Sequence, residues 1–157
     1  SYGLNWFLKN DIPCRLLFNF FGAPDFVNYQ KKPNQTDKKI AYMHKQLLEN
    51  PIKVLKNFYK TCNVEYSFHE VINIEALRNA LIELQRENFS LKFKRLNFPI
   101  HTFYSTNDKI LNINEESISF LDNDNHDISF LNEYDHGFPK TNPEICFKLI
   151  YKVLEKI

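Results

Sequence analysis

Three polar residues occur in an order that can support nucleophilic catalysis. Ser1 opens the sequence, Asp108 follows one apolar segment, and His136 follows another. A histidine can take the proton of a serine hydroxyl when a carboxylate fixes its tautomer and stabilises its charged form, and the serine can then attack a carbonyl carbon. The order Ser, Asp, His therefore predicts a catalytic triad of Ser1, Asp108 and His136.

The segments that precede the predicted acid and base have the pattern of buried strands. Residues 99–105 (PIHTFYS) and 127–131 (DISFL) are short apolar runs, as in the strands of a parallel sheet. Polar residues just after the carboxyl ends of such strands commonly form ligand and catalytic sites. The 28 residues from Asp108 to His136 leave room for one helix and one strand. We therefore favour Asp108 as the acid over Asp124 and Asp135.

The serine lies in a sequence that is typical of a sharp strand-to-helix turn. Ser1-Tyr2-Gly3 matches the second half of the pattern G-x-S-x-G, and a possible helix follows it. The first half of the pattern and its strand would precede residue 1. An alternative, in which the α-amine of Ser1 acts as the base, has no second feature in its favour.

The remaining elements predict an α/β fold with a parallel sheet. Residues 14–21 (CRLLFNFF) form a third apolar run, which ends at Gly22. Amphipathic helix patterns follow, and the pairs Asn50-Pro51 and Asn142-Pro143 combine a capping residue with a first-turn proline. Single strands that alternate with helices favour the α/β class.

The long stretch between the first two strands predicts a helical insertion over residues 28–90. It contains three helix patterns, the last of which Asn73 can cap. We therefore assign residues 1–27 and 91–157 to the sheet-containing core and residues 28–90 to a helical lid.

Charge is unevenly distributed, although the net charge is only +1. Residues 28–62 contain eight lysines against two acidic residues, whereas residues 105–140 contain eight acidic residues against two lysines. The basic stretch indicates an anionic partner, and the acidic stretch is typical of solvated loops.

Length and composition exclude several classes of protein. A chain of 157 residues suffices for one compact domain, and 43% hydrophobic residues exclude general disorder. No apolar run reaches the roughly 18 residues of a membrane helix, and no signal-peptide pattern opens the chain. We therefore expect a monomeric cytoplasmic protein without membrane or nucleic-acid partners.

The cysteines and the remaining histidines do not indicate a cofactor. Cys14, Cys62 and Cys146 are far apart and form no C-x-x-C pair, which favours reduced thiols over disulfides or zinc. The other histidines lack metal-ligand spacing. We expect neither a metal nor an organic cofactor.

Several segments resemble the pimeloyl-acyl-carrier-protein methyl ester esterases of biotin synthesis, a group of α/β-hydrolases. Ser1-Tyr2-Gly3 is similar to the family's S-M-G turn, and residues 105–110 (STNDKI) are similar to its acid loop, S-S-x-D-K-I-F. Residues 135–139 (DHGFP) resemble the histidine loop, and residues 17–24 (LFNFFGAP) resemble a strand and loop that usually contain N-G-T. Residues 40–62 resemble the two lid helices. The chain thus resembles the C-terminal two-thirds of this family, beginning at the nucleophile turn.

The resemblance implies hydrolysis of the methyl ester of a pimeloyl chain on acyl carrier protein. Ser1 would attack the ester, the Tyr2 backbone N–H would supply half of the oxyanion hole, and His136 would act as base and then acid. Four aromatic residues would line a slot for the acyl chain: Phe20, Phe21, Phe26 and Phe138. Six lysines would dock the acidic carrier protein: Lys38, Lys39, Lys45, Lys53, Lys56 and Lys60.

Two other functions are compatible with the same residues. One is a carboxylesterase of the same fold that acts on small molecules. The other is a non-catalytic module that docks an acidic protein through residues 31–60. The phenylalanines would then be core residues, and the lysines would be an ordinary solvated helix face.

Overall fold

A three-stranded parallel sheet forms the centre of the protein. The computed structural model describes residues 2–67, 71–121 and 124–156. The sheet contains β1 (Leu17–Phe20), β2 (Ile100–Ser105) and β3 (His126–Leu131), in that spatial order. This arrangement confirms the predicted α/β class and the parallel pairing. It also brings the carboxyl ends of β2 and β3 to the same edge of the sheet.

The first strand is shorter than the predicted run of residues 14–21. It ends at Phe20 because Phe21 adopts a left-handed backbone conformation, with φ of 55°. This conformation is costly for a residue with a bulky side chain. The backbone N–H of Phe21 still donates a hydrogen bond to the Phe103 carbonyl oxygen, at 2.9 Å. The turn therefore stays attached to β2 while the chain leaves the sheet.

Helices separate the strands, as predicted, and four of the eight α-helices in the described residues lie between β1 and β2. One helix, α1 (Tyr2–Lys9), precedes β1. The helices between β1 and β2 are α2 (Pro33–Glu49), α3 (Pro51–Thr61), α4 (Ile74–Arg86) and α5 (Ser90–Lys94). The later ones are α6 (Glu115–Ile118), which continues as a 3-10 turn, α7 (Phe138–Thr141) and α8 (Pro143–Leu154). The short helices α5 and α7 were not predicted.

The predicted helix caps explain where two of these helices begin. The Asn50 side chain accepts a hydrogen bond from the backbone N–H of Lys53, at 3.1 Å, and Asn73 accepts one from Ala76, at 2.9 Å. These bonds satisfy N–H groups that the first turn of a helix leaves without partners. Helix α8 also starts at its predicted proline, but the Asn142 side chain donates to the Thr141 hydroxyl instead of capping the helix.

Two hydrophobic clusters hold the helices to the sheet. The larger, the main core, includes residues of α1, α2, α5 and β2 and the segment after β1. The smaller forms around Phe21, Phe138 and Cys146 and connects the end of β1 with α7 and α8. Within the described ranges, no helix combines the length and apolarity needed to cross a bilayer.

A chain of buried polar groups crosses the sheet. The Asn19 amide donates to the Gly22 carbonyl oxygen at 2.8 Å and to the Thr102 hydroxyl at 3.3 Å. The same hydroxyl lies 2.8 Å from Nε2 of His126. All three side chains are buried, so these hydrogen bonds offset the cost of removing their polar atoms from water. They tie β1, β2 and β3 together below the edge that carries the acid and the base.

Helix α1 is attached to α4 through one carboxylate, and we expect this attachment to depend on pH. The Tyr2 hydroxyl and the Lys9 ammonium each donate to Glu83 at 2.7 Å, which lowers the pKa of the Glu83 carboxyl. A carboxyl with a lowered folded-state pKa contributes stability above its unfolded pKa of about 4.3 and loses it as the pH falls through the folded value. Glu83→Gln is therefore expected to lower Tm at pH 7 by at most about 4 °C, because the groups are exposed.

Thermal unfolding of wild type and Glu83→Gln at pH 7 and at pH 3 measures this contribution. The difference in Tm is expected to shrink at the lower pH. Glu133→Gln, which changes an exposed carboxylate after β3, is the control. If the difference in Tm between wild type and Glu83→Gln were the same at both pH values, or equal to that of the control, Glu83 would not stabilise the contact between α1 and α4.

Candidate active site

The buried carboxylate of Asp108 is fixed by its own loop. The residue lies three positions after the end of β2 and is only 3% exposed. Its Oδ1 atom accepts hydrogen bonds from the backbone N–H groups of Ile110 and Leu111, at 2.8 and 2.9 Å. These donors stabilise the ionised carboxylate and set its orientation. The second oxygen, Oδ2, is directed to the neighbouring loop.

The predicted base lies directly against this carboxylate. Nδ1 of His136 is 2.7 Å from Oδ2 of Asp108, and the two side chains are 12% and 1% exposed. A carboxylate acceptor favours the proton on Nδ1, which leaves the lone pair of Nε2 for a proton from a nucleophile. The structure thus brings together two of the three predicted triad residues in the geometry that general base catalysis requires.

The histidine loop (residues 132–137) is held by the end of helix α3. The backbone N–H of Gly137 donates to the Cys62 carbonyl oxygen at 2.9 Å. A Cβ atom added to Gly137 would collide with that oxygen and with the Val64 side chain. Glycine is therefore required by the close approach of the two segments. The predicted lid thereby contacts the residue that follows His136.

The acid loop (residues 106–111) and the histidine loop also contact each other outside the dyad. The Asn107 amide donates to the Asn132 carbonyl oxygen at 2.8 Å. The Lys109 ammonium lies 4.0 Å from the Asp135 carboxylate, and Lys109 is largely exposed. The first contact fixes the spacing of the loops, whereas the second is a weak surface ion pair.

Aromatic side chains pack behind the imidazole. The ring of Phe21 lies 6.2 Å from that of His136 and 5.7 Å from that of Phe138, and both phenylalanines are 1% exposed. Phe20 lies 6.2 Å from Phe138. Phe26, in contrast, belongs to the main core. Phe20, Phe21 and Phe138 therefore form one aromatic cluster, in which Phe21 contacts the histidine, and the acyl slot itself stays a prediction.

Of the predicted nucleophile and the predicted oxyanion donor, the structure describes only the second, Tyr2. Ser1 lies outside the described residues, so its role stays a prediction. Tyr2 is the first residue of α1, and the backbone N–H groups of a first helical turn have no acceptor within the helix. Such an N–H can bind a negatively charged oxygen, as the predicted oxyanion role of Tyr2 requires.

The six lysines predicted to dock a carrier protein are all exposed. Helix α2 carries Lys38, Lys39 and Lys45, and helix α3 carries Lys53, Lys56 and Lys60. Exposure leaves their charges available for association with an acidic surface. The docking role stays a prediction.

The thiol nearest the dyad is unsuited to act as the nucleophile. Burial raises the pKa of Cys62 to about 11, and the negative charge of Asp108 acts in the same direction. At neutral pH the group is therefore a thiol, whereas the thiolate is the reactive form.

In the described ranges, no three His, Cys, Asp or Glu side chains are placed to share a metal ion.

The contribution of residues 62–64 to the site was not predicted from the sequence. They contact the histidine loop through Gly137. The available signal was the rarity of glycine, since the chain has only three and one of them directly follows His136. A glycine at that place indicates a close approach of another segment.

Comparisons with known proteins identify the fold. No protein-family model matches the chain, and no curated protein matches it significantly. Among solved structures, it is similar to an esterase from Exiguobacterium antarcticum, with a TM-score of 0.70 and 12% identity over 98% of this chain and 62% of that one. A bromoperoxidase from Bacillus anthracis gives a TM-score of 0.67 and 11% identity, over 98% of this chain and 63% of that one.

A third similar structure is a lipase-esterase related protein from Clostridium acetobutylicum ATCC 824. Its TM-score is 0.58, with 16% identity over 96% of this chain and 61% of the other. The chain thus spans less than two-thirds of the length of these structures. Identities this low concern the fold alone. The three structural similarities agree with the parallel sheet and with the positions of Asp108 and His136 after its second and third strands. They show that the chain has the α/β-hydrolase fold.

Proposed function

We propose that the protein is a serine carboxylesterase. The observation that carries the proposal is the 2.7 Å contact between Oδ2 of Asp108 and Nδ1 of His136, both largely buried and each located after a strand. A histidine held in this way is suited to take a proton and to return it within one reaction cycle. The fold shared with esterases supports the same reaction class.

The proposed mechanism assigns one step to each residue. His136 accepts the proton of the Ser1 hydroxyl as its oxygen attacks the ester carbonyl, and Asp108 stabilises the resulting imidazolium. The backbone N–H of Tyr2 stabilises the negative charge on the carbonyl oxygen. His136 then protonates the departing alcohol, and a water molecule activated by the same imidazole hydrolyses the acyl-serine.

We further propose that the ester is the methyl ester of a pimeloyl group carried on acyl carrier protein. The resemblance of the acid loop, the histidine loop and the lid segment to esterases of biotin synthesis supports this substrate. The exposed lysines of α2 and α3 would attract the acidic carrier. Attraction between exposed charges is screened by salt, so KM for the carrier-bound ester is expected to rise with ionic strength.

A serine-directed fluorophosphonate probe tests the reaction class. We expect one equivalent of label on wild type by intact mass, with fragmentation assigning it to Ser1. Labelling is expected to slow by about 10³-fold or more in His136→Ala, because no base remains to activate the hydroxyl. Unlabelled wild type, or equal labelling of both proteins, would contradict the mechanism.

The carrier substrate is tested separately from the reaction class. Methyl pimeloyl carrier protein and free dimethyl pimelate are compared by methanol release. A higher kcat/KM for the carrier-bound ester supports the proposed substrate. Preference for the free ester would instead favour an esterase of small molecules, and binding of the carrier without turnover would favour a docking module.

A further inference from the structure

A cavity next to the histidine loop is lined by two lysines and one aromatic residue. Its volume is about 310 Å³, and it is lined by Lys56, Lys60, Asn63, Val64, Glu65 and Tyr66. This is the size of a small-molecule site. The lining includes two lysines and one glutamate, so it carries a net positive charge.

One of these lysines is held in place by an aromatic ring. The Lys56 ammonium lies over the ring of Tyr66, 5.9 Å from its centroid. Tyr66 packs edge-on against Tyr59 at 5.4 Å, and the Lys140 ammonium lies 5.8 Å from the centroid of the Tyr59 ring. Cation–π contacts restrict a lysine side chain without neutralising its charge. Lys56 therefore stays available to an anion at a defined position.

The cavity borders the histidine loop through the Val64 side chain. Val64, which lines it, is the residue that a Cβ on Gly137 would strike, and Gly137 directly follows His136. The Gly137 N–H and the Cys62 carbonyl oxygen fix the two segments at 2.9 Å. The cavity therefore borders the loop that carries His136, with Val64 and Gly137 between them.

We propose that this cavity binds an anionic group, a carboxylate or a phosphate, on the acyl part of the ester substrate. The inference rests on the proposed esterase function and assigns a specificity determinant to it. Lys56 and Lys60 would bind the oxygens, and the Asn63 amide could donate a further hydrogen bond. The other four lysines of α2 and α3 do not line the cavity and would act only at long range.

The test compares three p-nitrophenyl esters of equal chain length, whose acyl ends carry a methyl group, a carboxylate or a phosphate. The variants are Lys56→Ala/Lys60→Ala and the control Lys148→Ala/Lys152→Ala, which removes the same charge from exposed positions on α8. We expect KM for the anionic esters to rise about fivefold to tenfold in the cavity variant, with kcat and the neutral ester unchanged. The anionic ester whose KM rises more in the cavity variant identifies the anion that the cavity binds.

A binding measurement separates failure of this inference from failure of the esterase function. In wild type, inorganic phosphate is expected to shift the amide resonances of residues 63–66, and these shifts are expected to be lost in the cavity variant. Phosphate shifts without hydrolysis of any ester would refute the esterase function but support the anion site. Equal KM changes in both double variants, or shifts that persist in the cavity variant, would overturn the site.

Discussion

Asp108→Asn is expected to lower kcat for ester hydrolysis by about 10³-fold to 10⁴-fold. The oxygen of the new amide can keep the hydrogen bonds from Ile110 and Leu111, so the acid loop can retain its conformation. The amide nitrogen then faces Nδ1 of His136 as a donor, which favours the tautomer with the proton on Nε2. That atom can no longer accept the serine proton. Hydrolysis of a p-nitrophenyl ester and the rate of fluorophosphonate labelling measure the effect.

Asp135→Asn is the matched control. Asp135 is adjacent to His136 in the sequence, and its carboxylate lies 4.0 Å from the exposed Lys109 ammonium. Its removal is expected to change kcat by less than about threefold, as for a surface ion pair. If Asp135→Asn proved as damaging as Asp108→Asn, the acid would be wrongly assigned. Full activity of a folded Asp108→Asn protein would exclude the triad mechanism.

Gly137→Ala is expected to destabilise the protein by about 1–3 kcal/mol. The added methyl group collides with the Cys62 carbonyl oxygen and with the Val64 side chain, so the histidine loop and the end of α3 must separate. Separation weakens the Gly137 to Cys62 hydrogen bond and shifts His136 relative to Asp108. Urea or thermal unfolding measures the loss of stability, and kcat is expected to fall with it.

Two further variants show whether the collision is the cause. Gly3→Ala places a methyl group at an exposed position of α1, where it meets no atom of another segment within 4 Å, and is expected to stabilise by up to about 1 kcal/mol. Val64→Ala removes one of the two colliding partners, so Gly137→Ala is expected to cost less in that background. Equal costs in both backgrounds would mean that the Val64 side chain is not responsible.

The contact between Asp108 and His136 could be predicted because the rules that place these two residues are local. An apolar run predicts a buried strand, and a polar residue after a parallel strand must lie at the carboxyl edge of the sheet. Asp108 and His136 meet there since β2 and β3 are adjacent and parallel. Helix starts such as Pro51 were equally predictable from short-range capping.

The contacts between distant segments could not be predicted in this way. The approach of Val64 to Gly137 and the attachment of Lys9 to Glu83 depend on how separate elements pack. The hydrophobic periodicity of a segment predicts whether it forms a helix or a strand, but not which distant segment it contacts. The left-handed conformation of Phe21 was missed for the same reason, since an apolar aromatic residue favours a longer strand.

The hydrogen bond between the buried side chains of Asn19 and Thr102 also has a consequence for the order of folding. These residues are separated by 83 positions, whereas the contacts within α2, α3 and α4 are between near neighbours. Closing a long loop costs entropy before any strand pairing compensates for it, and non-local pairing slows folding. The intervening helices can therefore form before the sheet does. Asp108 and His136 need only the pairing of β2 with β3, which are close in sequence, so the two residues can meet before β1 joins the sheet.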